Sequence, residues 1–276
     1  MRIACSVAAF PSLRLEDRFR MVALLGFKRV GACLFVAQTD LPGFLRRPDR
    51  TTRRIVSVLE ETGLSSADLF LIAPGDSIEG ASPNCRENEG RKERRRIFAT
   101  GLRCAQKAGV GALTILPGLP WADDPRAGWG AAVDELRWRV EQAGDLRIEL
   151  RVEPHIGSII STPELTARML DEVRGLRLAL DPGHFIFQGI DLEQVLPLAP
   201  MTGFVHVSGA AAGSLHIRLA RNKVDFRALL TSLRAAHYMG DLCIEYVPMD
   251  KWGADTTDAV SAIVETENLI AELMVG

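Results

Sequence analysis

Eight times along 276 residues, a short apolar run is followed by a stretch of helical periodicity, at about 34 residues per unit. Strands separated each time by a helix pair side by side and parallel, and a parallel sheet needs both of its faces covered. Eight such units fit the ~250 residues of a closed βα barrel. The predicted fold is a (β/α)8 TIM barrel filling residues 1–276 as one domain. Strands are read at 2–8, 27–35, 66–72, 110–116, 146–153, 176–181, 203–208 and 241–246. Helices are read at 14–25, 49–63, 89–108, 126–144, 162–174, 191–198, 224–237 and 256–274. Ser161-Thr162-Pro163-Glu164 marks a helix start, with hydroxyls to cap it and Pro in its first turn.

A composition that is 47% hydrophobic supports a large core, and a formal charge of −2 supplies no basic field for nucleic acid. The run Arg91-Lys92-Glu93-Arg94-Arg95-Arg96 opens a helix and is interspersed with Glu, so it reads as a solvated face. Five cysteines show no CxxC spacing, and all but Cys85 lie in apolar patterns. They read as reduced core thiols of a cytoplasmic protein. No apolar run approaches the ~18 residues of a membrane span. IACSVAAF, followed by Phe10-Pro11, fits a first strand better than a leader.

Alternation singles out one end of the later strands. In LRIELRVE, Glu153 shares a face with Arg151 and Glu149, opposite Val152, Leu150 and Ile148. Asp181 opposes Leu176, Leu178 and Leu180; His206 opposes Val205 and Val207; Glu245 opposes Leu242, Ile244 and Tyr246. In a closed barrel these four polar groups face inward as neighbours. Each carboxylate alone could pair with an inward Arg such as Arg151 or Arg177. Three together with an imidazole are hard to hold without a cation, because uncompensated buried charge costs several kcal/mol per ion. Glu153, Asp181, His206 and Glu245 are therefore the expected ligands of one divalent ion, Mn, Mg, Co or Zn.

Other residues cluster around these by sequence position. His184 lies three residues past Asp181 and reaches the barrel mouth. His155 shares parity with Glu153 and is expected to act as a general base or to touch the substrate. The segments after the third strand (74–90) and the seventh (209–223) are long and Gly-rich, as substrate-holding loops are. Arg218, Arg221 and Lys223 on the latter could clamp an anionic substrate or be surface cations. His216 has no assigned role, and His237 reads as structural or solvated.

The combination ExH, LDPGHF, VHVSG, a VDF helix and GDLCIEY resembles the xylose isomerase-like TIM-barrel superfamily, most strongly over 146–250. The resemblance implies a sugar isomerase or epimerase with Glu153, Asp181, His206 and Glu245 on the metal and His184 on the substrate, Arg218 or Arg221 standing in for the family's loop cation. It also implies Glu153 and Glu245 as the proton-transfer pair, with His155 as base in the dehydratase branch. Two positions depart from common patterns: Ser208 stands where many relatives have Lys, and Ala212 where the epimerases have Arg. Such a site would take a proton from the carbon beside a carbonyl of a small sugar or keto-polyol, the enediolate being stabilised by the metal. Return of the proton gives epimerisation or isomerisation. The alternative is a lyase that dehydrates a cyclic keto-polyol such as an inosose or 3-dehydroshikimate. A non-catalytic binder is a lesser reading. A nuclease is disfavoured, because KRVGACLF, ADLFLI and ALTILP end without further ligands. The expected partner is a small molecule rather than nucleic acid or membrane, with homo-oligomerisation left open.

Overall fold

Side-chain parity sorts the strand residues into two populations in the computed structural model, which describes residues 1–34, 40–72, 82–255 and 258–275. One population, including Leu113, Leu150, Leu178, Val205 and Ile244, merges with helix residues such as Phe19, Phe98, Leu136 and Leu229 into the main core. The other is small: Ala4, Ala67, Ala179, Phe204 and Cys243 meet inside the barrel. The strands are β1 (Arg2–Ser6), β2 (Arg29–Cys33), β3 (Ser65–Phe70), β4 (Ala112–Ile115), β5 (Glu149–Val152), β6 (Arg177–Leu180), β7 (Thr202–Val207) and β10 (Asp241–Ile244). They pair in the closed order β1-β10-β7-β6-β5-β4-β3-β2, every pair parallel. This is the (β/α)8 barrel that the alternation predicts.

The outer layer follows the expected order. It comprises α1 (Leu15–Leu24), α2 (Asp40–Arg46), α3 (Pro48–Thr62), α4 (Asn88–Lys107), α5 (Pro125–Asp145), α6 (Pro163–Glu172), α7 (Pro182–Phe187), α8 (Leu192–Val195), α9 (Phe226–Ala235) and α10 (Ala259–Val275). Thr162 caps α6, its hydroxyl accepting from Leu165 N at 3.3 Å. On α4 the basic run is answered by acids, Lys92 by Glu89 and Arg96 by Glu93, both at 2.7 Å. Cys5, Cys33, Cys104 and Cys243 are buried and form no disulfide among the described residues. No described helix is long and apolar enough to cross a membrane.

Three features differ from expectation. The short helices α2 and α7 fall where no helix is read from the sequence. Pro182 occupies the first turn of α7 and Asp181 caps it through Gly183 N at 2.7 Å. The segment after β7 is a hairpin, β8 (Gly209–Ala211) against β9 (Ser214–Ile217), and not an open loop. The first predicted strand ends early, at Ser6, whose hydroxyl accepts from Ala8 N at 3.2 Å and starts a helical turn. Phe35 of the second predicted strand, residues 74–81 of the third-strand loop, and residues 256–257 of the last predicted helix lie outside the described residues.

Close packing across the interior depends on one small residue. A Cβ on Gly31 would lie 2.7 Å from Cys243 Sγ, so a larger residue on β2 would force that thiol to move. At the amino end of the strands, Arg29 Nη2 donates to Asp241 Oδ2 at 2.7 Å, and Arg2 Nε reaches Asp241 Oδ1 at 3.1 Å. These contacts fasten β10 to the first two strands.

Candidate metal and proton-transfer site

Each of the four predicted ligands stands at the carboxyl end of its strand. Glu153, Asp181 and Glu245 directly follow β5, β6 and β10, and His206 is the penultimate residue of β7. Their exposures are 2%, 1%, 5% and 3%, so water does little to screen them. One donor atom from each lies within 4.8 Å of all the others. His206 Nδ1 donates to Glu153 Oε1 at 2.6 Å and stands 3.6 Å from Glu245 Oε2. His184 Nε2 is 3.7 Å from Glu153 Oε2 and 3.9 Å from Asp181 Oδ2. Asp181 Oδ2 is buried with no hydrogen-bond partner.

The backbone fixes these positions. Glu153 N donates to Ile115 O at 3.1 Å and Glu245 N to Val207 O at 3.0 Å, which extends the parallel ladder through both glutamates. The His206 ring is held between Phe70, stacked at 5.9 Å, and Phe204, edge-on at 5.1 Å. Ser6 on β1 donates to Glu245 Oε1 at 2.9 Å.

Crowding sets the protonation states. Burial pushes Glu245 up to about 6, against the opposing pull of His206, and burial likewise raises Asp181. Burial would also raise Glu153, but the His206 and His184 imidazoles beside it outweigh this and hold its carboxyl far below the usual range. Burial would lower His206, yet the Glu245 and Glu153 carboxylates lift it to about 10. The His206 proton thus serves as positive charge for a carboxylate cluster that lacks another cation. Three carboxylates, one imidazole and an orphaned carboxylate oxygen at this spacing fit a divalent ion.

A second shelf of rings adjoins the cluster. The His155 and His184 rings meet tilted at 44°, 4.1 Å between centroids, and Trp252 lies against both, at 5.1 Å from His155 and 6.5 Å from His184. Burial, and next the neighbouring His184, lowers His155 to about 3, so its ring is neutral. His184 Nδ1 is buried without a hydrogen-bond partner. Trp252 comes from the segment after β10, which is tied to the hairpin through Leu215 N to Trp252 O at 2.9 Å. His216 on the same hairpin has Nδ1 3.1 Å from the Glu245 carbonyl.

The sequence-predicted arginines are placed differently. Arg218 pairs with Glu265 of α10, and Arg221 Nη1 lies 3.4 Å from Asp255. Each thus has an acidic partner in the C-terminal segment. Arg151 pairs not with the ligand carboxylates but with Glu149 at 2.6 Å and Asp68 at 3.2 Å.

Asp68, Ser6 and Trp252 escaped the sequence reading. A register shift in β3 matches Val30 to Ser66 but Gly31 to Asp68, so the strand carries an extra residue there. Ala67 and Asp68 in succession then reach the interior, which simple alternation cannot foresee. Burial pushes Asp68 up to about 6 in spite of Arg151. A serine after the apolar Ile3-Ala4-Cys5 of the first strand was the available signal for Ser6.

Residues 19–265 match the family model for the xylose isomerase-like TIM barrel. A D-psicose 3-epimerase solved in the presence of D-fructose aligns with a TM-score of 0.79 at 13% identity, covering 100% of each chain. The D-psicose 3-epimerase from Clostridium cellulolyticum H10 with D-tagatose gives 0.77 at 14%, covering 99% of each chain. The 3-keto-D-glucoside 4-epimerase of E. coli gives 0.74 at 18%, again over 99% of each. At such identities the likeness shows the fold. No curated protein matches the chain in sequence.

Proposed function

Because the chain belongs to the xylose isomerase-like TIM barrel family, we propose that it is a divalent-metal-dependent epimerase of a small sugar or keto-polyol. The observation that carries this reading is the buried convergence of Glu153, Asp181, His206 and Glu245, with donor atoms within 4.8 Å. The solved relatives named above act on or bind ketoses and a keto-glucoside. The dehydratase alternative draws no support from them.

Glu153, Asp181, His206 and Glu245 would hold one Mn, Mg, Co or Zn ion, which when bound polarises a substrate carbonyl as a Lewis acid. The remaining chemistry belongs to the side chains. Epimerisation needs a base on one face of the reacting carbon and an acid on the other. Glu153, held ionised, is the base in this reading. Glu245, lifted to about 6, returns the proton. Ser6 keeps the Glu245 carboxyl turned into the site through its 2.9 Å bond. His155 and His184 offer ring nitrogens to substrate hydroxyls, and Trp252 shields that side from water.

Proton exchange tests the assignment directly. With a 3-ketose or D-fructose in deuterated water, the native enzyme should incorporate deuterium at the epimerised carbon. Glu245→Gln should slow this by about 10²-fold or more, and His155→Ala by less. Full exchange in Glu245→Gln, or a dehydrated product, would sink the proposal.

A further inference from the structure

Beside the site, His216 on β9 and Trp252 after β10 both hold left-handed backbone, at φ 53° and 55°. A bulky side chain is strained there, and such strain persists only where the surroundings enforce it. Trp252 O accepts from Leu215 N at 2.9 Å and His216 O accepts from Asp255 N at 3.3 Å, which pins the segment after β10 to the hairpin on both sides of the indole. Ala254 N donates to Lys251 O at 3.3 Å across Trp252 and Gly253, the latter at φ 59°. Two successive positive φ values mark a type I′ turn, whose central positions ordinarily take Gly, Asn or Asp. The hairpin tip is braced in turn, Gly213 N donating to Phe187 O at 2.9 Å at the end of the helix that carries His184.

What this turn presents to the site is an aromatic plate. The indole is partly exposed and lies 5.1 Å from the His155 ring and 6.5 Å from the His184 ring. Both imidazoles have a nitrogen to offer. His155 Nδ1 stands 3.3 Å from Ile156 O, a carbonyl that can only accept, so Nδ1 carries the proton and Nε2 is left as an acceptor. His184 Nδ1 is buried with no hydrogen-bond partner, while its Nε2 stands beside Glu153 and Asp181. An apolar plate and two uncommitted ring nitrogens therefore flank one side of the carboxylate cluster.

We propose that Trp252 is a specificity-determining residue for a substrate closed into a six-membered ring, such as a keto-pyranoside, whose C–H face packs on the indole while its hydroxyl edge meets the imidazoles. The proposal deepens the epimerase reading and rests on it for the ketone. A six-membered sugar ring gathers C–H groups on a face and hydroxyls around its rim, which matches one aromatic plate beside convergent polar atoms. An open chain offers no such fixed face. His155 and His184 are 9% and 4% exposed, so the indole must turn away from them to admit the ring. Rotation about its side-chain bonds does this with the pinned backbone in place.

Calorimetric titration of the full chain, with a divalent ion present, tests the proposal by binding alone. Methyl 3-oxo-α-D-glucopyranoside supplies the closed ring, and D-ribulose, too short to close a six-membered ring at its ketone, supplies the comparison. The native protein should hold the ring about tenfold or more tightly than D-ribulose. Trp252→Ala should erase that margin while leaving D-ribulose within about twofold, and Trp252→Phe should restore most of it. Tryptophan fluorescence should shift on addition of the ring in the native protein and not in Trp252→Phe. No margin in the native protein, or equal losses for both sugars in Trp252→Ala, overturns the proposal. A margin that survives where deuterium exchange is absent counts against the epimerase reading and leaves the ring specificity standing.

Discussion

Strands β5, β6, β7 and β10 end in Glu153, Asp181, His206 and Glu245, whereas β1 to β4 turn Ala4, Gly31, Ala67 and Thr114 toward the same interior. One half of the barrel supplies charge and the other supplies room. Where the early half does carry polarity, it serves the late half. Ser6 orients Glu245, and Asp68 balances Arg151 beneath the Phe204 ring that abuts His206. A barrel can thus keep one backbone plan while one arc gathers the buried carboxylates and imidazole and the other turns mostly small side chains inward.

The strongest blow to this division would fall on the charged arc. Asp181→Ala should abolish binding of about one divalent ion per chain, read by elemental analysis and Mn²⁺ titration, because it removes a ligand with no local substitute. Undiminished uptake would show that the four strand ends do not act together.

Proton competition sharpens the same point. Binding requires Glu245 ionised and His206 neutral, and their values stand at about 6 and about 10. Apparent affinity should therefore rise with pH, by about one log unit per pH unit between 7 and 9 and more steeply below 6. A flat profile from pH 5 to 9 would contradict the charge assignment of the cluster.

The early arc should respond in stability and not in binding. Gly31→Val forces Cys243 to move and should cost about 1–3 kcal/mol, seen as a lowered Tm, with one ion per chain still bound. Loss of the ion without loss of stability would erase the contrast between the arcs.

Legibility in the sequence followed the same line. Glu153, Asp181, His206 and Glu245 were visible because each sits in regular alternation at the end of a strand with apolar neighbours on the opposite parity. Asp68 was not, because the extra residue at 66–67 breaks the alternation that would reveal it. The hairpin at 209–217 was hidden by strands of three and four residues, too short for period two to declare itself. The partners of Arg218 and Arg221, Glu265 and Asp255, were not legible because they lie more than thirty residues away in the chain. Proximity to a site along the sequence says little about where a long cation will find its counter-charge.

The 2.9 Å bond from Ser6 to Glu245 spans 239 positions of sequence. It lies where the first strand meets the last, at the seam that closes the ring. A chain emerging from the ribosome amino end first therefore holds β1 unsatisfied on one edge through nearly the whole of synthesis. Until residue 245 arrives, three of the four donors can gather but the pocket has no wall on that side. Closure of the ring and completion of the pocket are one late event, so a nascent or carboxyl-truncated chain is barred from premature chemistry by topology alone.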